Sequence, residues 1–194
     1  MPGATTPTAW STETGPVGLA RPGPFDSMPL PPRGVPWNHD CGDPERRWTV
    51  GSSLTKCPQC GKTNRIPAAA AGHPRCGHCR TDLPWIVDAG DADFAAIAEQ
   101  SSTPALIDFW AAWCGPCRIV SPVLDRLAHD RAGRVKLVKV DVDNSPALSR
   151  RFQIQAIPTM LLIRDGKVVA RQAGAPPAAA LREWLDGALA AGTP

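Results

Sequence analysis

An apolar run leads directly into a cysteine pair in residues 105–117, which read ALIDFWAAWCGPC. The first six of these residues are interrupted only by Asp108, as expected of a β-strand that is covered on both faces. Cys114 and Cys117 follow where this strand gives way to a helix. The stretch therefore predicts a strand–turn–helix unit with a dithiol at the turn.

Strands alternate with helices on both sides of this unit. Upstream, residues 84–90 read as a short strand and residues 91–100 as a helix with acids in its first turn. Downstream, the helix that begins near Cys114 has one apolar face and contains Pro122. The remaining predicted elements are a strand, a short helix, a hairpin of two strands turned at Asp165-Gly166, and a last helix, over residues 135–142, 146–151, 158–163, 167–173 and 181–189. The βαβαβαββα order predicts an α/β domain with a partly parallel sheet, helices on both faces and an antiparallel edge.

The position of the dithiol predicts its chemistry. A thiol at a helix N-terminus meets unpaired N–H groups and the positive end of the helix dipole, which favour the thiolate. Cys114 is therefore the expected nucleophile, and Cys117, one turn along, the expected resolving thiol that attacks a mixed disulfide. The alternative is a metal site or simple packing, but this half of the domain offers only His129 as a further ligand. No cofactor is expected at the dithiol.

Asp108 is unusual because an acid in a buried strand loses its hydration. It lies six residues before Cys114, so we predict that it accepts the proton of Cys117 through a water. Lys139, on the neighbouring predicted strand, is expected to balance its charge. The alternative is a buried acid that is simply satisfied by hydrogen bonds.

Several of these motifs together resemble the thioredoxin family. They are DFWAAWCGPC (108–117), Pro122, KVDVD (139–143), IPT (157–159), the RDGKVV hairpin and Gly174, in family order and spacing. The resemblance covers residues 85–190 and implies the thioredoxin fold, a mixed five-stranded sheet flanked by helices. It also implies reduction of protein disulfides in oxidised client proteins, with an NADPH-dependent thioredoxin reductase restoring the dithiol. Arg118 stands where many members carry lysine.

The resemblance further implies a cis bond between Ile157 and Pro158 that faces the dithiol, and an apolar groove for the client. The groove residues would be Trp113, Gly115, Pro116, Ile157, Pro158, Thr159, Gly174 and Ala175. The alternative for Trp113 and Ile157 is an ordinary place in the core.

Two further Cys-x-x-Cys pairs precede this domain, Cys57 with Cys60 and Cys76 with Cys79, and fifteen residues separate them. The spacing predicts a zinc ribbon with four thiolate ligands and one Zn²⁺ per chain, structural or redox-sensing. Iron or two disulfides are the alternatives. Metal binding would supply the folding energy of so small a unit.

Glycines and cations surround these pairs. Gly61 and Gly77 suit tight turns whose N–H groups donate to sulfur. His73 and His78 are expected to face solvent, since four cysteines already close a tetrahedral site. Five cations without an acid are expected to offset the thiolate charge: Lys56, Lys62, Arg65, Arg75 and Arg80. With TNRIP (63–67) between its pairs, the ribbon ahead of the domain is similar to the zinc-containing thioredoxins of bacteria, the thioredoxin 2 group.

Composition sets the domain boundaries and excludes some classes of protein. The chain of 194 residues divides into a Pro- and Gly-rich tail expected to be disordered (1–50, with a lone Cys41), the ribbon (51–83) and the thioredoxin domain (84–194). No apolar run approaches the roughly 18 residues of a membrane helix, and the first 30 residues lack a secretory signal, so we expect a cytoplasmic monomer. The basic ribbon has no aromatic residue to stack on a base, which argues against nucleic acid.

Three functions are consistent with these sequence features. A cytosolic reductase is favoured, because Gly-Pro between Cys114 and Cys117 argues for the reducing role. A disulfide oxidase or isomerase would need export and a more oxidising dithiol. In a redox-switched zinc-thiolate chaperone or interaction module, the dithiol would mainly reset the zinc site.

Overall fold

The computed structural model describes residues 51–191, so the predicted tail and Cys41 lie outside the described residues. The described part begins with a small antiparallel sheet of two strands, β1 (Ser52–Lys56) and β2 (Thr63–Pro67). Its strands are only five residues long, and Leu54 in β1 is exposed. This hairpin carries the first cysteine pair in its turn.

A mixed sheet of five strands follows, as predicted, in the order β3-β5-β4-β6-β7. Strands β3, β5 and β4 are parallel to one another, β6 pairs antiparallel with β4, and β7 pairs antiparallel with β6. The five strands are β3 (Trp85–Asp88), β4 (Ala105–Trp110), β5 (Lys136–Asp141), β6 (Thr159–Arg164) and β7 (Lys167–Ala173). The strand that leads to the dithiol, β4, lies at the centre, where both of its edges are paired.

Helices cover both faces of this sheet. They are α1 (Gly115–Asp130), α2 (Pro146–Arg151) and α3 (Ala178–Ala190). Helices α1 and α3 pack on one face around Leu106 of β4. The opposite face, around Ile107, carries α2, a helical turn at Ala95–Glu99 and the end of β2. Within residues 51–191 no helix combines the length and the apolar character needed to cross a bilayer.

The predicted helix over residues 91–100 differs in form. The structure has a π-helical turn at Ala95–Glu99, in which the Gln100 N–H donates to the Ala95 carbonyl at 2.9 Å. The Ile97 carbonyl accepts a hydrogen bond from Lys136 Nζ on β5. This long-range contact to a buried cation is a tertiary effect that hydrophobic periodicity does not report.

A buried lysine joins the cysteine hairpin to the large sheet. Lys136 is fully buried, and its ammonium donates to the carbonyls of Ala68, just beyond β2, and Ile97. It also lies over the ring of Trp85, 4.1 Å from the centroid, and the Trp85 indole N–H donates to the Pro67 carbonyl at 3.1 Å. Burial lowers the pKa of Lys136 to about 8. The end of β2 is therefore tied to β3 and β5 by polar contacts as well as by apolar packing.

Candidate dithiol and metal sites

The dithiol lies at the N-terminus of α1. Cys114 is the N-cap residue, and its Sγ accepts a hydrogen bond from the Cys117 N–H at 3.1 Å. Pro116 sits in the first turn, where its missing N–H leaves no helix bond unmade. Cys114 and Cys117 form a disulfide and are each 3% exposed. A sulfur that already accepts an amide N–H is placed to be stabilised as a thiolate after reduction.

Asp108 is fully buried in β4, and neither carboxylate oxygen has a hydrogen-bond partner among the described residues. The predicted alternative, an acid satisfied by hydrogen bonds within the protein, therefore does not hold there. Burial raises the pKa of Asp108 to about 6, against the opposing effect of Lys139 and with a smaller contribution from Asp125. A carboxyl group with this pKa binds and releases a proton close to neutral pH.

Lys139 occupies the predicted neighbouring strand, where it is the register partner of Asp108. Its ammonium, however, contacts a different acid: Nζ lies 2.7 Å from Asp125 Oδ1 on α1, and it also donates to Ser121 Oγ at 3.4 Å. Sequence reasoning missed Asp125. Its spacing from Cys117 could have revealed it. Asp125 lies eight residues, or two steps of four, after Cys117, and residues four apart lie one above the other on a helix.

The expected groove residues lie around the dithiol, although not all are exposed. Trp113 is 67% exposed, and its indole N–H donates to Asp143 Oδ2 at 2.9 Å. Of the others, Gly115, Pro116, Gly174 and Ala175 are exposed and Ile157 is half-buried, whereas Pro158 and Thr159 are buried. The Thr159 hydroxyl donates to the Ala156 carbonyl, so its side chain supports the loop from beneath instead of reaching the surface.

The Ile157–Pro158 bond is cis, as the resemblance implied. Among the described residues, neither the N–H nor the carbonyl of Ile157 has a hydrogen-bond partner. A cavity of about 530 Å³ opens beside Ile157 and Trp113, and Val142, Ile154 and Arg150 also line it. Sequence reasoning missed these three residues, because their distance from Cys114 along the chain hides that they share a surface.

The four cysteines of the hairpin region converge. All four Sγ atoms lie within 4.8 Å of one another, with Cys57 and Cys79 3.5 Å apart and Cys60 and Cys76 3.6 Å apart. They are free thiols. Four sulfurs placed tetrahedrally about 2.3 Å from one zinc ion would be about 3.8 Å apart. The residues therefore fit a four-thiolate metal site, and the number and type of ligands suit zinc.

The turns at Cys57–Cys60 and Cys76–Cys79 share the same hydrogen bond and the same backbone conformation. The N–H of Gly61 donates to the Cys57 carbonyl at 2.9 Å, and the N–H of Arg80 donates to the Cys76 carbonyl at 3.0 Å. Both donors have left-handed backbone, with φ of 70° at Gly61 and 64° at Arg80. Gly77 lies in the second turn as expected, and the N–H groups of His78 and Cys79 in that turn donate to Cys76. Its own N–H donates to Asn64 Oδ1, and its φ is not positive, because the left-handed position follows the second cysteine of the pair.

The cluster does not ionise evenly without a cation. The backbone N–H groups of Cys79 and His78 lower the pKa of Cys76 to about 6. A backbone hydrogen bond at Lys62 favours the Cys60 thiolate, yet burial and the neighbouring sulfurs raise the pKa of Cys60 to about 12. A bound metal ion would favour all four thiolates together, because cysteines bind metals in their deprotonated form.

The basic residues near the cluster have other partners in two cases. Arg65 donates to Ser52 Oγ, and Arg75 donates to His73 and Asp82. His73 is therefore part of a polar group with Arg75 and Asp82, with 31% of its side chain exposed. Sequence reasoning placed His73 in solvent and did not include Asp82, which lies just outside the acid-free segment.

Comparisons with known proteins give a consistent result. The family model described as thioredoxin matches residues 85–187. A thioredoxin of Haemophilus influenzae is 46% identical over 101 residues, which are 52% of this chain and 94% of that protein. A thioredoxin of Mycobacterium tuberculosis is 48% identical over 97 residues, 50% of this chain and 84% of that protein. Thioredoxin C-3 of Corynebacterium nephridii is 36% identical over 133 residues, 67% of this chain and 91% of its own, a stretch that must begin upstream of Trp85.

Proposed function

The chain belongs to the thioredoxin family and is a protein-disulfide reductase, and from this premise we propose that Cys114 is its nucleophile and Cys117 its resolving thiol. The observation that carries this assignment is the hydrogen bond from the Cys117 N–H to Cys114 Sγ at the first turn of α1. Because only one of the two sulfurs caps the helix, that sulfur is the better thiolate.

The first half of the exchange takes place at Cys114. Its thiolate attacks one sulfur of a client disulfide; the new bond joins Cys114 to the client, and the other client sulfur leaves as a thiolate. The helix N-terminus favours the thiolate over the thiol, and so makes Cys114 the thiol that attacks.

The second half takes place at Cys117. Asp108 accepts the Cys117 proton through a water, and the resulting thiolate attacks Cys114 Sγ. The bond between Cys114 and the client breaks, the second client sulfur leaves as a thiolate, and the disulfide between Cys114 and Cys117 forms. Two electrons have then passed from the dithiol to the client. The raised pKa of Asp108 supports this role, because a carboxylate of ordinary pKa would be a weak base.

We further propose that an NADPH-dependent thioredoxin reductase restores the dithiol. A protein of Mycobacterium leprae named bifunctional thioredoxin reductase/thioredoxin is 44% identical to this chain over 100 residues, which are 22% of that protein. Its name describes both activities in one polypeptide. That arrangement supports a reductase as the electron donor here, in the cytoplasm, where such donors keep thiols reduced.

Clients would dock as an extended segment across the dithiol. The unpaired N–H and carbonyl of Ile157 are available to pair with a client backbone, and the exposed Trp113 offers apolar surface beside Cys114. Gly115, Pro116, Gly174 and Ala175 provide small or flat surfaces that let a second backbone approach. The buried Pro158 and Thr159 hold the loop in place. We also propose that the protein acts as a monomer.

Zinc is the metal that we propose for Cys57, Cys60, Cys76 and Cys79, one ion per chain. When bound, zinc supplies folding energy to the hairpin region and neutralises part of the thiolate charge. The similarity of Thioredoxin C-3 upstream of Trp85 supports a shared amino-terminal module and membership of the zinc-containing thioredoxin 2 group. The competing role, a redox-switched zinc-thiolate chaperone or interaction module, draws support from four free thiols within 4.8 Å of one another.

Reduction of insulin by the full chain, driven by NADPH and a bacterial thioredoxin reductase, tests the proposed function. The reductase account expects NADPH oxidation that requires this chain, is lost in Cys114→Ser and survives in Cys60→Ser. Loss of activity in Cys60→Ser would favour the redox-switched module instead. If the chain catalyses rearrangement of scrambled disulfides but does not consume NADPH, it is an isomerase.

A further inference from the structure

The buried carboxyl group of Asp108 faces one cation, and that cation is already engaged. Asp108 and Lys139 are register partners on parallel strands, so their side chains project from the same face of the sheet. Helix α1 covers that face, as the packing of Leu106 on Val120 and Leu124 shows. The ammonium of Lys139 contacts Asp125 at 2.7 Å, whereas no ion pair within 4.0 Å joins Lys139 to Asp108 in the described part of the chain.

Asp125 belongs to the same stripe of α1 as the resolving thiol. Cys117, Ser121 and Asp125 are spaced by four residues, and residues at that spacing lie one above the other on a helix. Ser121 Oγ accepts a hydrogen bond of 3.4 Å from the same Lys139 Nζ that forms the ion pair with Asp125. The stripe therefore brings the sulfur, the lysine and the acid to one side of the sheet.

Other charged groups are directed elsewhere. Met160, the partner of Asp108 on β6, is uncharged. Helix α3 also packs on this face, but its Arg182 and Asp186 pair with Asp130 and Arg131 near the far end of α1, and Glu183 is exposed. On β3, Asp88 is the register partner of Lys139 and projects from the same face, but it is exposed at the edge of the sheet. Cys117 also lies on this side. The charge that Asp108 experiences is therefore set mainly by Lys139 and by the acid that holds it.

We propose that Asp125 is a positioning residue for thiol–disulfide exchange: it holds the Lys139 ammonium away from Asp108, so that the buried carboxylate remains basic enough to take the proton of Cys117. The inference rests on the proposed function, since it concerns the second half of the same reaction. When Asp125 is charged, Lys139 stabilises the Asp108 carboxylate only partly, so Asp108 can both release and accept a proton. Without that charge, Lys139 is free to turn toward Asp108 and hold it as a carboxylate that accepts protons poorly.

The direct test is the titration of Asp108, followed by carboxyl ¹³C NMR in the full, reduced chain with zinc bound. In Asp125→Asn the pKa of Asp108 is expected to fall by about one unit, the size of effect that a newly available cation has on a nearby acid. The acid limb of the rate–pH profile for insulin reduction should move in the same direction. Asp130→Asn is the matched control, because it removes the same charge from the same helix and breaks a comparable contact to Arg182.

An unchanged Asp108 titration in Asp125→Asn, or an equal shift in Asp130→Asn, overturns the proposal. Asp125→Glu keeps the charge and should titrate as the parent does; a shift as large as that of Asp125→Asn would contradict an electrostatic role. In a Lys139→Met background the effect of Asp125→Asn should shrink to less than half, because Asp125 acts through that lysine. The NMR titration does not depend on turnover, so failure of the proposed function and failure of this inference are distinguishable.

Discussion

The Cys-x-x-Cys spacing occurs three times in the described chain and produces two different sites. Each pair closes the same first turn, in which the N–H of the residue after the second cysteine donates to the carbonyl of the first. The donors are Gly61, Arg80 and Arg118, at 2.9, 3.0 and 3.3 Å. The local geometry of the pair alone therefore does not distinguish a redox dithiol from half of a metal site.

The residue after the pair makes the difference. Gly61 and Arg80 adopt left-handed backbone, the chain turns back, and the N–H groups of Cys57 and Cys76 donate to Lys62 and Thr81. Arg118 is helical, and the third pair stands at the start of α1, which runs for sixteen residues from Gly115 to Asp130. In the first case both sulfurs face a shared centre, and in the second one sulfur caps a helix. The redox thiols and the proposed metal ligands thus differ in how the backbone continues, not in how the cysteines are spaced.

The largest expected effects come from breaking one kind of site at a time. Cys114→Ser should reduce insulin reduction by more than about 1,000-fold, because a serine hydroxyl is not ionised near neutral pH and does not form the mixed disulfide. Bound zinc should stay at one per chain. Cys60→Ser should do the reverse, lowering bound zinc at least about tenfold and leaving reduction within about twofold. Turnover assays and metal analysis on both variants measure this, and a shared loss would mean that the two sites are one functional unit.

Asp108 distinguishes the two kinds of site, because within residues 51–191 it is the one buried acid and it lies beside the redox pair. Its folded pKa of about 6 lies above the ordinary 3.8, so the folded state binds this proton more tightly than the unfolded chain does. Stability is therefore lost as the pH rises through the interval between those values, by about 3 kcal/mol in total. Asp108→Asn should raise the free energy of unfolding by roughly 2–3 kcal/mol at pH 7.5 and much less at pH 4, as measured by urea denaturation. An equal gain at both pH values would show that the carboxyl group does not carry the cost.

Lys136 tests how firmly the proposed metal module, residues 51–83, is joined to the redox domain. In Lys136→Met the carbonyls of Ala68 and Ile97 lose their donor, at about 1–3 kcal/mol each, while removal of a buried charge returns about 3 kcal/mol. We expect the free energy of unfolding of Lys136→Met to be about 1–2 kcal/mol lower than that of the parent at pH 7.

The sign of the pH dependence distinguishes the loss of the buried Lys136 ammonium from a simple packing defect. Because the folded pKa of Lys136 is about 8, below the usual 10.5, the unfolded state binds more protons between those values and the parent gains stability as the pH rises through them. The deficit of Lys136→Met should therefore be larger at pH 10 than at pH 7. Lys167→Met, on the exposed end of β7, is the control and should be neutral at both.

The smallest expected effect concerns the residue after the pair. Arg80 has a φ of 64°, which costs a non-glycine residue about 1 kcal/mol, so Arg80→Gly should stabilise the metal module by roughly 0.5–1 kcal/mol and slow zinc loss to a chelator. Arg118→Gly should destabilise the protein by about 1 kcal/mol, since glycine weakens a helix. A gain of stability in Arg80→Gly and a loss in Arg118→Gly would support the view that the backbone after the pair separates the two kinds of site. Stability changes of the same sign in both variants would contradict it.

Much of this arrangement was predictable from the sequence. The order of strands and helices, the mixed sheet and the place of the dithiol between β4 and α1 follow from hydrophobic patterns and from the motifs, since these depend on neighbours along the chain. The missed features depend on distant partners. Asp125 on α1 contacts Lys139 on the sheet, and Lys136 donates to two carbonyls from other segments. Arg80 adopts a left-handed backbone conformation that its residue type does not predict.

The reduction potential of the Cys114–Cys117 pair, measured against glutathione in the full chain with zinc retained, tests the central claim most directly. The account predicts a value near that of other thioredoxins, about −270 mV, with the four module cysteines remaining reduced over the same range. A value near −180 mV, typical of a disulfide isomerase, or oxidation of the module cysteines together with the dithiol, would contradict the separation of redox and metal sites described above.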